Sequence, residues 1–376
     1  MKSRITLSTC SSSLMSLYLL IGSVCYAPLT QAKNTDGDSF WDMMEFYENE
    51  QGDYLKSTGR LQVDSIWLDS EQSGQLSDIY WRRARLGIEG SYDGITITVD
   101  ADFDLNKSLD DSFKRFTNVN FSFYLDSGAK VKVLKQSVPF MLGGKTSSKK
   151  LLTTERSNLT NNLWFVNEYF TGISIQNTLD NNWHYFAGVY SSDKVEGVSF
   201  DDPAYFGLYS IGRSYGANQY WDNAVLSVDT VINDTSPTAN TEDFSQVSSF
   251  STKFHRGQWG LWTDIAWGNG EMGQSDLWGY EVMPFYSMSD KFQYVMRYTY
   301  IHSSDENGIR LGRYDSKIES GKGDRYRELY GGVNWYFNRH KLKLQLGVQY
   351  AQMEDSAQDG GDFDGWGLTT AFRFYW

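Results

Sequence analysis

The sequence predicts an all-β fold, a 16-stranded antiparallel transmembrane β-barrel, and three observations predict it. Long stretches alternate apolar and polar residues, and the links between them alternate between tight turns and long loops. After residue 32 no run of about 18 apolar residues follows, so an exported chain of this kind is a periplasmic or secreted protein or a barrel.

The chain opens on an export address. Lys2 and Arg4 precede an apolar run from Leu14 to Val24, and the segment ends on Thr30-Gln31-Ala32, the pattern of a cleaved signal peptide over residues 1–32. The apolar run is too short for a hydrocarbon core of roughly 30 Å, which argues against a membrane anchor. Cys10 and Cys25 both lie in this segment, and Gly22-Ser23-Val24-Cys25 lacks the residues of a lipoprotein site. A mature chain from Lys33 therefore carries no thiol, disulfide or thiolate metal site.

Composition favours a barrel over a soluble β-sandwich. The chain has 16% aromatic residues, 34 Gly and only 5 Pro, as expected where alternate residues face lipid and lumen and rings collect at the two interfaces. Residues 33–58 do not alternate and read as a short periplasmic segment; Phe40 to Tyr47 has the pattern of a short amphipathic helix, with a lumen plug as the alternative.

From residue 59 to 376 the alternation is regular. Ile95, Ile97, Val99, Ala101 and Phe103 interleave with Thr96, Thr98, Asp100, Asp102 and Asp104, one face for lipid and one for water. Sixteen strands are centred near Val63, Leu86, Val99, Phe121, Val133, Ile173, Phe186, Tyr209, Leu226, Phe250, Trp262, Val282, Tyr298, Gly332, Leu346 and Thr370. Tight links such as Tyr92-Asp93-Gly94, Asp126-Ser127-Gly128 and Asn338-Arg339-His340 carry residues that tolerate turn geometry. Long links fall at 69–78, 105–116, 139–168, 192–204, 234–245, 268–275, 302–325 and 354–363, so both termini belong on the tight-turn side. Phe372, Phe374 and Trp376 place rings at alternate positions up to the carboxylate, like the terminal signal of outer-membrane proteins.

Several segments together resemble the phosphate-selective porin O/P family: Gly59-Arg60-Leu61-Gln62-Val63-Asp64, Arg82 to Gly90, Pro139-Phe140 with Thr146 to Lys149 and Glu155-Arg156-Ser157, and Glu328 to Tyr336. The resemblance implies a homotrimer of 16-stranded barrels in a bacterial outer membrane, each with its third loop (about 139–168) folded inward. It also implies that Lys and Ser side chains of that loop bind the anion. Lys145, Ser147, Ser148 and Lys149 occupy the matching stretch, though Gly144 stands where the phosphate-selective members carry Lys.

The charge pattern agrees. From Lys130 to Arg156 seven basic residues face one acid, Glu155, inside a chain of net charge −13, or −15 once Lys2 and Arg4 are removed. Lys145, Ser147, Ser148, Lys149 and Arg156 are therefore the candidate anion-binding residues of the constriction, with Arg83, Arg85 and Lys132 on the pore wall. The alternative is a solvated loop face, and Asp100, Asp102 and Asp104 are placed to pair with the wall arginines. Gly143-Gly144 is expected to supply the sharp bend into the lumen.

Neither a metal ligand set nor a catalytic constellation is present: His184, His255, His302 and His340 are scattered, with no cofactor motif. The acidic balance carries no nucleic-acid patch. The expected partners are small anions, phosphate first, with outer-membrane lipid and lipopolysaccharide outside. A general or cation-tolerant porin and an adhesin or receptor barrel are the alternatives.

Overall fold

A computed structural model describes residues 39–163, 168–192, 197–200 and 204–376; the signal-peptide segment lies outside them. The chain divides into a unit up to Met43 and a unit from Met44 to Trp376. Within the first, Ser39–Asp42 form a single helical turn in which Phe40 and Trp41 meet edge to face. All that follows concerns the second.

Among the described residues, sixteen strands close into one barrel. They are β1 (Tyr54–Ser70), β2 (Gly74–Tyr92), β3 (Ile95–Phe103), β4 (Phe113–Tyr124), β5 (Lys130–Ser137), β6 (Tyr169–Thr178), β7 (Trp183–Ser191) and β8 (Tyr205–Tyr215). The second half holds β9 (Asn223–Asn233), β10 (Phe244–Arg256), β11 (Trp259–Gly270), β12 (Leu277–Ser287), β13 (Phe292–Ser303), β14 (Arg325–Asn338), β15 (Leu342–Glu354) and β16 (Phe363–Tyr375). Each pairs antiparallel with its neighbours in sequence, and β16 closes on β1 from Arg60↔Tyr375 to Ser70↔Gly365. Every expected strand centre lies inside its strand. Closure leaves no edge, which a lipid-exposed sheet requires.

The alternation sorts the faces as read from the sequence. Ile95 and Ile97 are about half exposed on the outside, whereas Asp100 and Asp102 are buried inside. Asp64, Asp229, Asp264, Arg297, Glu328 and Arg373 likewise point inward and are buried.

The structure corrects several expectations. The first link is not a long loop: β1 and β2 run to 17 and 19 residues and meet in a three-residue turn, where Gly74 at φ +75° permits the reversal and Ser70 Oγ accepts from the Gln72 amide. The first barrel strand begins at Tyr54, not at 59. Residues Glu45–Glu48 pair with it as a short strand instead of continuing a helix to Tyr47, because Asn49 Oδ1 accepts from the Gln51 and Asp53 amides and turns the chain into a hairpin.

The third loop folds into the lumen over residues 138–163 and carries helices α1 (Met141–Lys145) and α2 (Asn158–Leu163). The bend is not at the glycines: Met141 itself adopts φ +59°, held where its amide donates to Asp229 Oδ2, while the next amide, of Leu142, donates to Asp264 Oδ2. Two wall carboxylates thereby satisfy the buried, otherwise unpaired N–H groups at the start of α1. Gly143 has another role, since a Cβ there would lie 2.3 Å from Thr160 Oγ1, so its absence lets α1 and α2 touch.

Leu159, Leu163, Phe140 and Met141 pack with Phe170, Tyr190 and Phe206 from the β6–β8 wall into an apolar core. This core fills the lumen on that side. Opposite, side chains of β13–β16 hold the backbone of residues 151–155: Lys343 Nζ and Gln345 Nε2 donate to Leu151 O, Asn334 Nδ2 to Leu152 O, and Arg373 Nη2 to Thr154 O. Loop seven, 304–324, also turns inward, which the sequence reading did not anticipate. Its Tyr314 hydroxyl donates to Asp64 Oδ2 at 2.9 Å, and Asp315 accepts from Gln349 at 2.7 Å.

Candidate pore constriction and vestibule

The candidate residues of loop three do not converge on one point. Lys145 reaches the β8–β9 wall, where its ammonium pairs with buried Asp229 and donates to Ser210 Oγ. Ser147 is exposed and accepts a long hydrogen bond from the Lys149 amide. Ser148 is buried on the β1 side, its hydroxyl accepting from Arg60 Nη1 at 2.6 Å.

Lys149 stands over the Tyr375 ring at 4.8 Å and meets no carboxylate within ion-pair distance among the described residues. Burial, followed by the neighbouring Arg60, lowers its ammonium pKa to about 8. Arg156 is buried and structural as well as cationic: Nη1 lies 2.7 Å from Glu168 Oε1 and Nε donates to Gly143 O.

On the wall, Arg83 and Arg85 face the lumen as their parity requires. Arg85 binds Asp102 in two-point fashion at 2.7 and 3.0 Å and lies on the Tyr169 ring. Asp102 is thus a partner of the wall arginines, as expected. Asp100 is not: it accepts from Thr58 and Asn118 instead, while Asp104 lies beyond the strand and accepts from Asn106. Arg83 sits 3.1 Å from Gln62 Oε1 and 3.7 Å from Glu168. Lys132 lies on the lumen face of β5, opposite Ser122 and Ser174.

Simple alternation would send Arg82 to lipid. A β-bulge intervenes, for the β1–β2 register jumps between Gln62↔Arg83 and Val63↔Trp81, leaving Arg82 as the extra residue. Arg82 and Arg83 both end inside, and Arg82 donates to Glu155 Oε2 through Nε and Nη2 at 2.9 and 2.5 Å. Arg313 of loop seven approaches the same oxygen at 3.4 Å. Burial pushes the Glu155 carboxyl up, but Arg82 and Arg313 outweigh it and hold it well below the usual carboxylate range.

Above loop three lies a cavity of about 850 Å³, bounded by β2–β4, loop three and loop seven. Among the described residues, nine Lys and Arg against five Asp and Glu line it, in a chain whose total is −13. Lys114, Arg115, Arg310 and Arg313 belong to this basic surface, and sequence reasoning missed all four. Arg310 and Arg313 could have been noticed as a close basic pair in a long loop. Nothing local marks Lys114 and Arg115, which a pair of further bulges, both in β4, aims inward.

Residues 55–207 match the family described as phosphate-selective porin O and P. That span includes three of the segments that carried the resemblance but not Glu328 to Tyr336. No characterised protein matches by sequence. Among solved structures, the anion-selective porin from Comamonas acidovorans superposes with a TM-score of 0.61 at 10% identity, covering 86% of this chain and 100% of that one. OmpF of Salmonella typhi, solved with daunomycin, gives 0.59 at 11%, covering 88% and 100%. The trimer form of OmpT, an outer-membrane protein of Vibrio cholerae, gives 0.55 at 13%, covering 86% and 99%. By fold the chain is a 16-stranded antiparallel barrel of the kind found in porins, and residues 55–207 match the model of the phosphate-selective porin O and P family.

Proposed function

We propose that this chain is an outer-membrane porin, an anion-preferring pore for passive diffusion of small solutes, phosphate among them, and that it works as a homotrimer. The observation that carries the reading is the vestibule, where nine basic residues outnumber five acidic ones and lead down to Arg83 and Arg156. Acidic groups more than a Debye length away, about 8 Å at physiological salt, are largely invisible to an ion there. Lys145, Ser147, Ser148, Lys149 and Arg156 act from loop three, and Arg83, Arg85 and Lys132 from the wall. A porin of similar fold is named anion-selective, and another is described in a trimer form, which supports both parts of the reading. Lipid and lipopolysaccharide contact the outer apolar face.

The second reading, a general pore without anion preference, rests on the carboxylates Asp102, Asp229, Glu155 and Glu168, which pair with Arg85, Lys145, Arg82 and Arg156. The reversal potential of single channels in a salt gradient decides between them: a value on the chloride side supports the anion pore, and a value at or beyond zero supports the alternative.

A further inference from the structure

Glu168 ends loop three immediately before β6, and its carboxylate reaches into the lumen between two guanidinium groups from different elements. Arg156 Nη1 is 2.7 Å from Oε1 and Arg83 Nη2 is 3.7 Å from the same oxygen. The geometry points to an oxyanion-binding site formed by Arg83 and Arg156 at the floor of the vestibule, occupied in the resting protein by the chain's own Glu168 as a tethered stand-in for the permeating anion. Its ligand class is a small oxyanion that presents carboxylate or phosphate oxygens. The inference builds on the anion-pore reading but does not need it, since it concerns what the two arginines bind once Glu168 is gone.

Three features support it. A carboxylate against guanidinium donors is chemically the arrangement in which arginine holds a free carboxylate or phosphate. Glu168, Arg83 and Arg156 all border the 850 Å³ cavity, so an incoming anion has access to the pair. Burial works against the Glu168 charge, yet Arg156, Arg83, Arg85 and Arg60 hold its carboxyl well below the usual range. The surroundings therefore favour a negative group at this point more strongly than one arginine would.

A self-occupied site also fits what a channel needs. Conduction requires binding that is favourable enough for entry and weak enough for release. An anion that must displace Glu168 gains only the difference between its own attraction and that of the tethered carboxylate, so it does not become trapped.

The test is phosphate block of chloride current through single channels of the full chain at constant ionic strength. Glu168→Gln removes the charge at nearly constant volume, and should lower the half-blocking phosphate concentration about tenfold or more relative to wild type. Adding Arg83→Gln to that variant should abolish the gain. An unchanged half-blocking concentration in a conducting Glu168→Gln channel overturns the inference. If that variant does not insert, Glu168→Asp keeps the charge but draws it back from Arg156. Tighter block by phosphate in Glu168→Asp then supports the inference, and wild-type block overturns it. The wild-type reversal potential separately reports on the anion-pore reading: a cation-preferring wild type whose Glu168→Gln variant gains phosphate block would sink that reading and keep this one.

Discussion

Lys149 should make the selectivity of this pore depend on pH. It stands in loop three with its ammonium over Tyr375, and its pKa is lowered to about 8 by burial and by Arg60. A lysine with a lowered pKa is charged below that value and loses its charge as pH rises through it. About nine-tenths of the groups carry charge at pH 7 and about one-tenth at pH 9. A unit charge about 5 Å from a passing ion contributes roughly 0.8 kcal/mol in water, cut by salt screening to about 0.4 kcal/mol. That doubles the local anion concentration and halves that of cations, a change of about fourfold in the permeability ratio. Reversal potentials measured from pH 6 to 9 should therefore fall toward cation preference between pH 7 and 9. Lys149→Arg should remain flat across the range, and Lys149→Gln should sit at the low plateau throughout. If Lys149→Gln matches wild type at pH 7, or Lys149→Arg still titrates, the charge that sets selectivity is elsewhere.

Three other expectations follow from the anchoring of the two inward loops. Asp264→Ala leaves the buried Leu142 amide without its acceptor, at a cost of about 1–3 kcal/mol to loop-three docking, whereas Asp264→Asn keeps an acceptor oxygen; open-channel current noise and protease cleavage within residues 141–150 should rise for Ala and not for Asn. Asp315 has its carboxyl raised from 3.8 to about 7, by burial and then by Glu328, so it holds its proton more tightly when loop seven is docked. Docking is then fully stabilised below about pH 4 and weakens by up to a few kcal/mol as pH rises toward 7; hydrogen exchange of residues 309–318, corrected for intrinsic rate, should speed up over this interval in wild type and not in Asp315→Asn. Deletion of Arg82 removes the bulge but keeps the alternation of Trp81 outward and Arg83 inward, so a barrel should still assemble, with thermal stability reduced by loss of the Arg82–Glu155 pair, about 3–5 kcal/mol.

What the sequence made legible was whatever a period of two and a turn dictate. Parity assigned Ile97 to lipid and Asp102 to the lumen, and turn residues such as Asp93-Gly94 fixed where strands reverse. Parity names a face but not the partner across the lumen, so it could not find Asp229 for Lys145, 84 residues apart, or Tyr314 for Asp64, 250 apart. It also fails at a bulge, where one added residue reverses every assignment that follows. That is why Arg82 escaped notice, and why Lys114 and Arg115 carried no signal. Loop seven was read as external because its length and polarity are those of an exposed loop; Ile309 and Leu311 are buried in the apolar core that loop three joins, and Tyr314 is buried against Ile66 and Leu68 of β1.

The bulges and the inward loops belong to one physical problem. A lumen lined by arginines must offset the repulsion among them and the loss of hydration as the passage narrows. Here the offset comes from carboxylates placed asymmetrically. Asp229 of β9 is fully buried beneath Lys145, which stays partly exposed, whereas Glu155 and Glu168 belong to loop three and reach the wall arginines from within. A wall carboxylate behind its cation leaves the positive end of the pair toward the ion path, whereas a loop carboxylate in front of its arginine screens it. By this reasoning Asp229→Asn should change chloride selectivity little, because Lys145 keeps its charge and its Ser210 contact, and Glu168→Gln should change it much more, although each substitution removes one negative charge. Equal shifts in reversal potential for the two variants would mean that net charge alone, and not the side of the arginine on which the carboxylate stands, governs the pore.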